Sequence, residues 1–246
     1  MSLSRAVILA AGTGTRMGRL TADRPKAMIE IGGRPLIDRS LDALSSFGIA
    51  DVTVVVGYQQ QRLRAHLGSR ARAIENARYR ETNSLYSLSL AREQLRDGAI
   101  IMNSDILVSR ELLGRLIDAP VEDAALIDCA STLGHEEMKV KVRQGVAIDF
   151  GKELPPRDAD GENVGILKFG AQGGRRLVRH IERLIAAGEV NAWAPMAFRA
   201  VAQEWPVYAI TTDGLPWTEI DFPEDVDHAQ QIILRAMARP SRGWAA

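Results

Sequence analysis

Short apolar runs alternate with helix-period stretches through the first half of the chain, which predicts a parallel sheet covered by helices on both faces. The predicted strands are 6–10, 51–56, 71–75 and 99–102, with 124–129 continuing the sheet. Helices are predicted near 35–47, 58–67, 84–96 and 110–118. In the first of these Leu36, Ile37, Leu41, Leu44 and Phe47 recur at helical spacing, and Gly48 follows where a left-handed cap is wanted. From Met138 the period changes to two. Residues 139–142 and 146–150, separated by Gln144-Gly145, read as a hairpin, so a small β lobe inserted around 136–160 is expected. Further elements follow: a strand at 164–169 returning to the main sheet, helices near 174–187 and 194–204, and strands at 207–210 and 217–221. Pro223 opens a last helix with apolar positions Val226, Ala229, Ile232, Ile233 and Ala236. The expected fold is α/β: one Rossmann-like domain over residues 1–238, mostly parallel, followed by a frayed tail at 239–246.

The loop after the first strand changes this from a fold to a chemistry. Leu9-Ala10-Ala11-Gly12-Thr13-Gly14-Thr15-Arg16 joins a buried strand to glycines whose backbone N–H groups can turn toward an anion, and Arg16 and Lys26 add cationic side chains. Two better-known glycine loops do not fit. A Walker A loop needs Gly-Lys-Ser/Thr where Gly18 is followed by Arg19 and Leu20. The dinucleotide fingerprint needs a third glycine where Met17 stands.

The segment does resemble the signature G-x-G-[ST]-R-[LM] followed by R/K-P-K of the nucleotidyltransferases that activate sugar phosphates and alcohol phosphates, with Arg24-Pro25-Lys26 as its second part. The resemblance implies a nucleotide-diphospho-sugar transferase-like fold, and a reaction in which an anionic oxygen attacks an α-phosphorus and pyrophosphate leaves. Both reactants are negatively charged, so such a site must neutralise charge and align atoms, with a divalent ion, Mg2+, bridging them. Arg16, Lys26, Asp105 and Asp221 are then the candidate catalytic residues, and Asp105 and Asp221 the metal ligands. Asp105 follows the strand 99–102 at the edge where the glycine loop lies, and the family carries a metal-binding aspartate there; a helix N-cap is its alternative role. Asp221 alternates with Glu219 on one face of a strand, with Ile220 opposite, and a cap for the helix at Pro223 is its alternative.

The block Asn83-Ser84-Leu85-Tyr86-Ser87-Leu88 resembles the subgroup that uses CTP, including phosphocholine and 2-aminoethylphosphonate cytidylyltransferases. Asn83 offers a donor and an acceptor to a pyrimidine edge, supplemented by Ser84 or Ser87, and doubles as a helix N-cap. Together with residues 9–16, Lys26 and Asp105 these form the expected nucleotide site. Lys152 matches a lysine that the family places near the acceptor phosphate, with Lys139 and Lys168 as competitors. Trp217 and Glu219, with Trp193 and Tyr86, are available for a quaternary ammonium. Glu137-Met138-Lys139 looks more like the phosphonate branch than the phosphocholine branch. The expected function is transfer of CMP from CTP to a small phosphonate or phosphate ester. A sugar-1-phosphate nucleotidyltransferase using UTP, GTP or dTTP and a non-catalytic nucleotide-binding regulator are the rivals.

Composition narrows the partners. Lys plus Arg and Asp plus Glu number 31 each in 246 residues, which leaves no electrostatic footprint for nucleic acid or an anionic membrane. The one cysteine, Cys129, excludes an internal disulfide and reads as a small strand residue. No apolar run reaches bilayer-spanning length, and the first is too short for a signal sequence, so a cytoplasmic location is expected. Oligomeric state stays open, a homodimer included. The four histidines show no metal-ligand spacing.

Overall fold

The computed structural model describes residues 3–238. Its centre is a nine-stranded sheet, and the alternation along β1 (Arg5–Ala10) shows how it is covered. Val7 and Leu9 point into one apolar cluster with residues of α3 (Ser84–Leu90), α4 (Arg92–Leu95), α6 (Ala171–Ala186) and α7 (Pro195–Ala202). Ala6, Ile8 and Ala10 point into another, built with α1 (Leu36–Ser45), α2 (Gln60–Leu67) and α5 (Arg110–Asp118). A strand buried on both faces is fully apolar for this reason, and the layers are helix, sheet, helix.

The sheet is mixed, not mostly parallel. β5 (Arg72–Glu75), β4 (Asp51–Val56), β1 and β6 (Ala99–Asn103) run parallel, as does β8 (Ala124–Asp128) with β12 (Val207–Thr211). Between these groups lies β11 (Gly161–Phe169), antiparallel to both β6 and β8. The hairpin of β9 (Lys139–Arg143) and β10 (Val146–Gly151) forms as expected but extends the main sheet through β12, instead of standing apart as a lobe. Alternation of apolar and polar residues finds a strand without fixing its direction, which is set by tertiary connections.

Other elements differ in detail. β7 (Ile106–Val108) and β13 (Trp217–Glu219) pair as a separate two-stranded ribbon, so the 217–221 segment lies off the main sheet. A small hairpin, β2 (Glu30–Ile31) with β3 (Arg34–Pro35), and single turns of 3-10 helix at Lys26–Met28 and Pro156–Asp158 were not expected. The helix predicted at 84–96 is broken in two at Ala91. Cys129 lies just past the end of β8 and is exposed. In α8 (Pro223–Ala238) Ala229 is buried and Val226 half-buried; the side chains of Ile233 and Ala236 and the predicted tail at 239–246 lie outside the described residues. Among the described residues no helix is long and apolar enough to cross a membrane.

Close packing of α6 against the end of α4 depends on a small residue. A Cβ at the buried Gly174 would run into the carbonyl oxygen of Leu95. Since that contact is with backbone, Gly174→Ala should cost about 1–3 kcal/mol as overpacking. Thermal unfolding should show this as a loss of about 2–12 °C in Tm, without loss of helix content by circular dichroism.

Candidate functional site

The glycine loop leaves the end of β1 and curls back. Gly14 takes a left-handed conformation, φ +63°, that a side chain would strain, and Thr21 Oγ1 donates to its carbonyl at 2.9 Å. Nothing lies within 4 Å of where a Cβ would stand on Gly12, so the loop backbone there faces open space. Met17, occupying the third-glycine position of the dinucleotide fingerprint, is fully buried against Ile29, Ile31, Leu36 and Ile220 and anchors the loop.

Asp105 sits in the turn between β6 and β7, beside the loop because the Ser104 N–H donates to Leu9 O at 3.1 Å. Ser109, not Asp105, caps α5, accepting from the Leu112 N–H. The β7–β13 ribbon then brings in Glu219, opposite Ile106, and the Ile220 N–H donates to Asp105 O at 3.0 Å. The start of α8 is held by Asp225, whose carboxylate accepts from the N–H groups of Asp221 and Phe222, so the Asp221 side chain is free to turn inward. Two segments distant in sequence thus converge on Lys26. Its ammonium donates to Asp105 Oδ2 at 2.8 Å and to Asp221 Oδ1 at 2.5 Å, while Arg16 Nη2 lies 2.8 Å from Asp221 Oδ2 and its guanidinium stacks on Phe222.

The charges shape one another. Burial pulls the Lys26 ammonium down, but Asp105 and Asp221 together outweigh it and hold it above the ordinary lysine value. Glu219 is pushed up to about 8, first by burial and then by repulsion from Asp105 and Asp221. Asp105, Glu219 and Asp221 each offer an oxygen within 4.8 Å of the others, and Asp105 Oδ1 is buried with no hydrogen-bond partner among the described residues. A hard divalent cation that takes carboxylate oxygens and keeps waters fits this donor set. Glu219, expected at the acceptor, lines the cleft with its carboxylate clustered beside the two aspartates.

A cleft of about 380 Å³ opens from this cluster. Residues 9–16, Lys26, Asn83, Ser84, Ser87, Asp105, Lys152, Glu219 and Asp221 line it, so most of the predicted residues meet in one place. The 83–87 block has structural duties as well. Asn83 Oδ1 accepts from the Ser84 N–H as an N-cap, Ser84 Oγ accepts from the Ala194 N–H, and Ser87 Oγ accepts from the buried Asn76 amide. The Asn83 amide nitrogen has no protein acceptor among the described residues.

Three expected acceptor residues lie elsewhere. Lys168 is buried at the far edge of the sheet, where its ammonium donates to Ile117 O and Ala119 O at the end of α5. At the end of a parallel strand it would reach the cleft, but β11 is antiparallel and pairs Lys168 with Ile100 at the start of β6. Lys139 is fully buried, its ammonium bonded to Gly134 O and Glu137 O, and so ties down the preceding loop. Trp217 packs into the core and donates its indole N–H to Asp128 Oδ2 at 3.0 Å. Tyr86 does not line the cleft and is covered by the Arg78 guanidinium.

The reversed direction of β11 brings its first residues, Glu162 and Asn163, to the cleft, where neither was expected; Asn76 and Glu136 line it as well, together with the expected Trp193. A Glu-Asn pair just ahead of the apolar run 164–167 was the available signal. Glu162 is pushed up to about 7, chiefly by burial, with Glu137 and Asp128 adding repulsion and a Ser131 hydrogen bond and Lys139 opposing it. A carboxyl group whose folded value exceeds its unfolded one binds more protons in the native state, so it costs stability as pH rises between the two. Glu162→Gln should therefore gain Tm over the parent progressively from about pH 4.5 to pH 7 and level off above. Melting curves across that range test it; a constant difference at all pH values would reject the assignment.

Comparison with known proteins gives the family and the fold. A protein-family model, the MobA-like NTP transferase domain, matches residues 6–203. The chain is 28% identical over 248 residues to the CTP:phosphoglutamine cytidylyltransferase of Campylobacter jejuni, covering 90% of this chain and 97% of that one. It is 27% identical over 247 residues to a bifunctional IPC transferase and DIPP synthase of Rubrobacter xylanophilus, which covers 98% of this chain, while the chain spans about half (52%) of that relative's length. The solved CTP:phosphocholine cytidylyltransferase of Streptococcus pneumoniae superposes with a TM-score of 0.80 at 22% identity, over 95% of this chain and all (100%) of that one, so the folds agree. With its glycine loop and its α/β architecture, this chain belongs to the MobA-like NTP transferase domain family.

Proposed function

We propose that the protein transfers CMP from CTP to a small phosphonate or phosphate ester, releasing pyrophosphate. The observation that carries this reading is Lys26 clasped between Asp105 and Asp221, directly beside an anion-binding loop with Arg16 at its end. A site that only held a nucleotide would gain nothing from three carboxylates facing the same phosphates. The chemistry is displacement at the α-phosphorus: an acceptor oxygen forms the new P–O bond as the bond to the β-phosphate breaks.

The chain's own residues would divide the work. Backbone N–H groups of residues 12–15 hold the phosphates, and Arg16 and Lys26 neutralise charge that builds on them. Asp105 and Asp221, with Glu219, would hold Mg2+, which when bound supplies Lewis-acid neutralisation of the phosphate oxygens. Lys152, which also lines the cleft, holds the acceptor's phosphate or phosphonate. Asn83 faces the base, and the small residues Ala10 and Ala11 leave room for it. That the Campylobacter and Streptococcus relatives bear CTP in their names supports the choice of nucleotide.

Pyrophosphate release measured with each of the four common NTPs, against phosphocholine, 2-aminoethylphosphonate and hexose-1-phosphates, tests the reading. CTP with a non-sugar acceptor should exceed any other combination at least tenfold; turnover confined to UTP, GTP or dTTP with a sugar phosphate would reject it. Asp105→Asn should lower turnover by about a hundredfold or more, on the scale of losing one preorganised electrostatic group, with the far-ultraviolet spectrum unchanged. Full activity in that variant would remove Asp105 from the role.

A further inference from the structure

Asp128, the last residue of β8, does not line the cleft and makes no ion pair among the described residues. Its carboxylate instead accepts four hydrogen bonds from neutral donors. Oδ1 takes the Ala130 N–H at 3.1 Å and the Thr212 hydroxyl at 2.8 Å, while Oδ2 takes the Ser131 hydroxyl at 2.7 Å and the Trp217 indole N–H at 3.0 Å. Burial pushes the group up, but these donors together outweigh it and hold Asp128 below the ordinary aspartate value. It is therefore an acceptor only, fixed by its donors and fixing them in turn.

The donors belong to two loops. Thr212 and Trp217 stand at the two ends of the connection from β12 to β13, and the Thr212 N–H also donates to Ile127 O at 3.0 Å. Two residues beyond Trp217 comes Glu219, and Asp221 follows it. The ribbon that delivers both carboxylates to the cleft is thus tied at its root to Asp128. Ala130 and Ser131 open the second loop, 129–138, which the buried Lys139 ties down through Gly134 O and Glu137 O. That loop carries Glu136, the ion-pair partner of Lys152, to the cleft.

We propose that Asp128 is a positioning residue for the transfer, holding the carboxylate ribbon through Trp217 and the acceptor-side loop through Ser131, so that one oxygen sets the two sides of the cleft against each other. The inference rests on the reaction proposed above, in which Glu219 and Asp221 serve the phosphates and Lys152 the acceptor. An asparagine is no substitute. Whichever way its amide turned, the nitrogen would face an N–H that can only donate, that of Ala130 on one side or of Trp217 on the other.

Two variants of the full-length protein, each removing one donor, separate the arms. Assayed with CTP and the acceptor that the parent turns over fastest, Trp217→Phe should lower kcat about tenfold, the scale of losing a hydrogen bond to a charged group, and move the acceptor KM by less than about twofold. Binding of CTP with Mg2+, read by titration calorimetry without acceptor, should weaken by a similar factor. Ser131→Ala should instead raise the acceptor KM about tenfold and leave CTP binding as in the parent. Asp128→Asn should show both changes; should it not fold, the two single-donor variants decide the matter without it. If both variants lose thermal stability while kcat, KM and CTP binding per folded protein match the parent, Asp128 serves folding alone and the proposal fails. It fails equally if both variants change the same parameter. Absence of pyrophosphate from CTP in the parent, alongside turnover of a hexose-1-phosphate with another NTP, would overturn the proposed function instead, and the two arms would then be read on that pair.

Discussion

The ammonium of Lys26, shared between Asp105 and Asp221, closes a circuit among the segment after the glycine loop, the turn after β6 and the entry to α8. Those pieces lie 79 and 195 residues from Lys26 along the chain, and no local preference would bring them together. The contact is largely shielded, with the three side chains between 12% and 21% exposed, so each charge depends on the others to offset the loss of its hydration. Remove the cation and three carboxylates face one another with nothing between them. The backbone has to impose that crowding, and it does so through the Ile220 to Asp105 hydrogen bond and the β7–β13 ribbon. Glu219, driven toward its neutral form, registers how much negative charge the arrangement already carries.

The rest of the fold serves as a rigid mount for this cluster. β1 is buried on both sides, and its end is the one point where the loop, the β6 turn and Lys26 can meet. Met17 fastens the outgoing loop to a third, smaller apolar cluster that includes Ile220 and Ala229, so the glycine loop and the last helix share one foundation. The glycine-loop backbone and the carboxylates are therefore set against each other by packing, not by the rotamers of exposed side chains.

Much of this was legible in the sequence because the signals were local. The apolar run and glycines of residues 6–14, the helical spacing of Leu36 to Leu44 and the period-two alternation at 139–150 each declare their element within a few residues. Asp105 was legible from its place just after a strand and Asp221 from its alternation with Glu219, each read alongside the family resemblance, and the structure puts the two beside one Lys26 ammonium. What could not be read was direction. Val164 to Phe169 is a strand whichever way it runs, yet its polarity alone decides whether Lys168 or Glu162 meets the cleft. Lys139 and Trp217 failed for a related reason: a polar side chain on a buried face can bond to backbone or core as well as to a ligand, and only the three-dimensional neighbours distinguish these.

The reversal of β11 has a wider consequence. It divides the sheet into a parallel half, which carries the loop, Lys26 and Asp105, and a half built on β9, β10 and the beginning of β11, which supplies Lys152 and Glu162. The two halves meet along one seam, where Glu162 of the second adds to the repulsion felt by Glu219, while Lys152 makes its ion pair with Glu136 of its own half. A fold divided in this way lets one phosphorus chemistry be coupled to many partners, since recognition can drift while the reacting groups stay fixed.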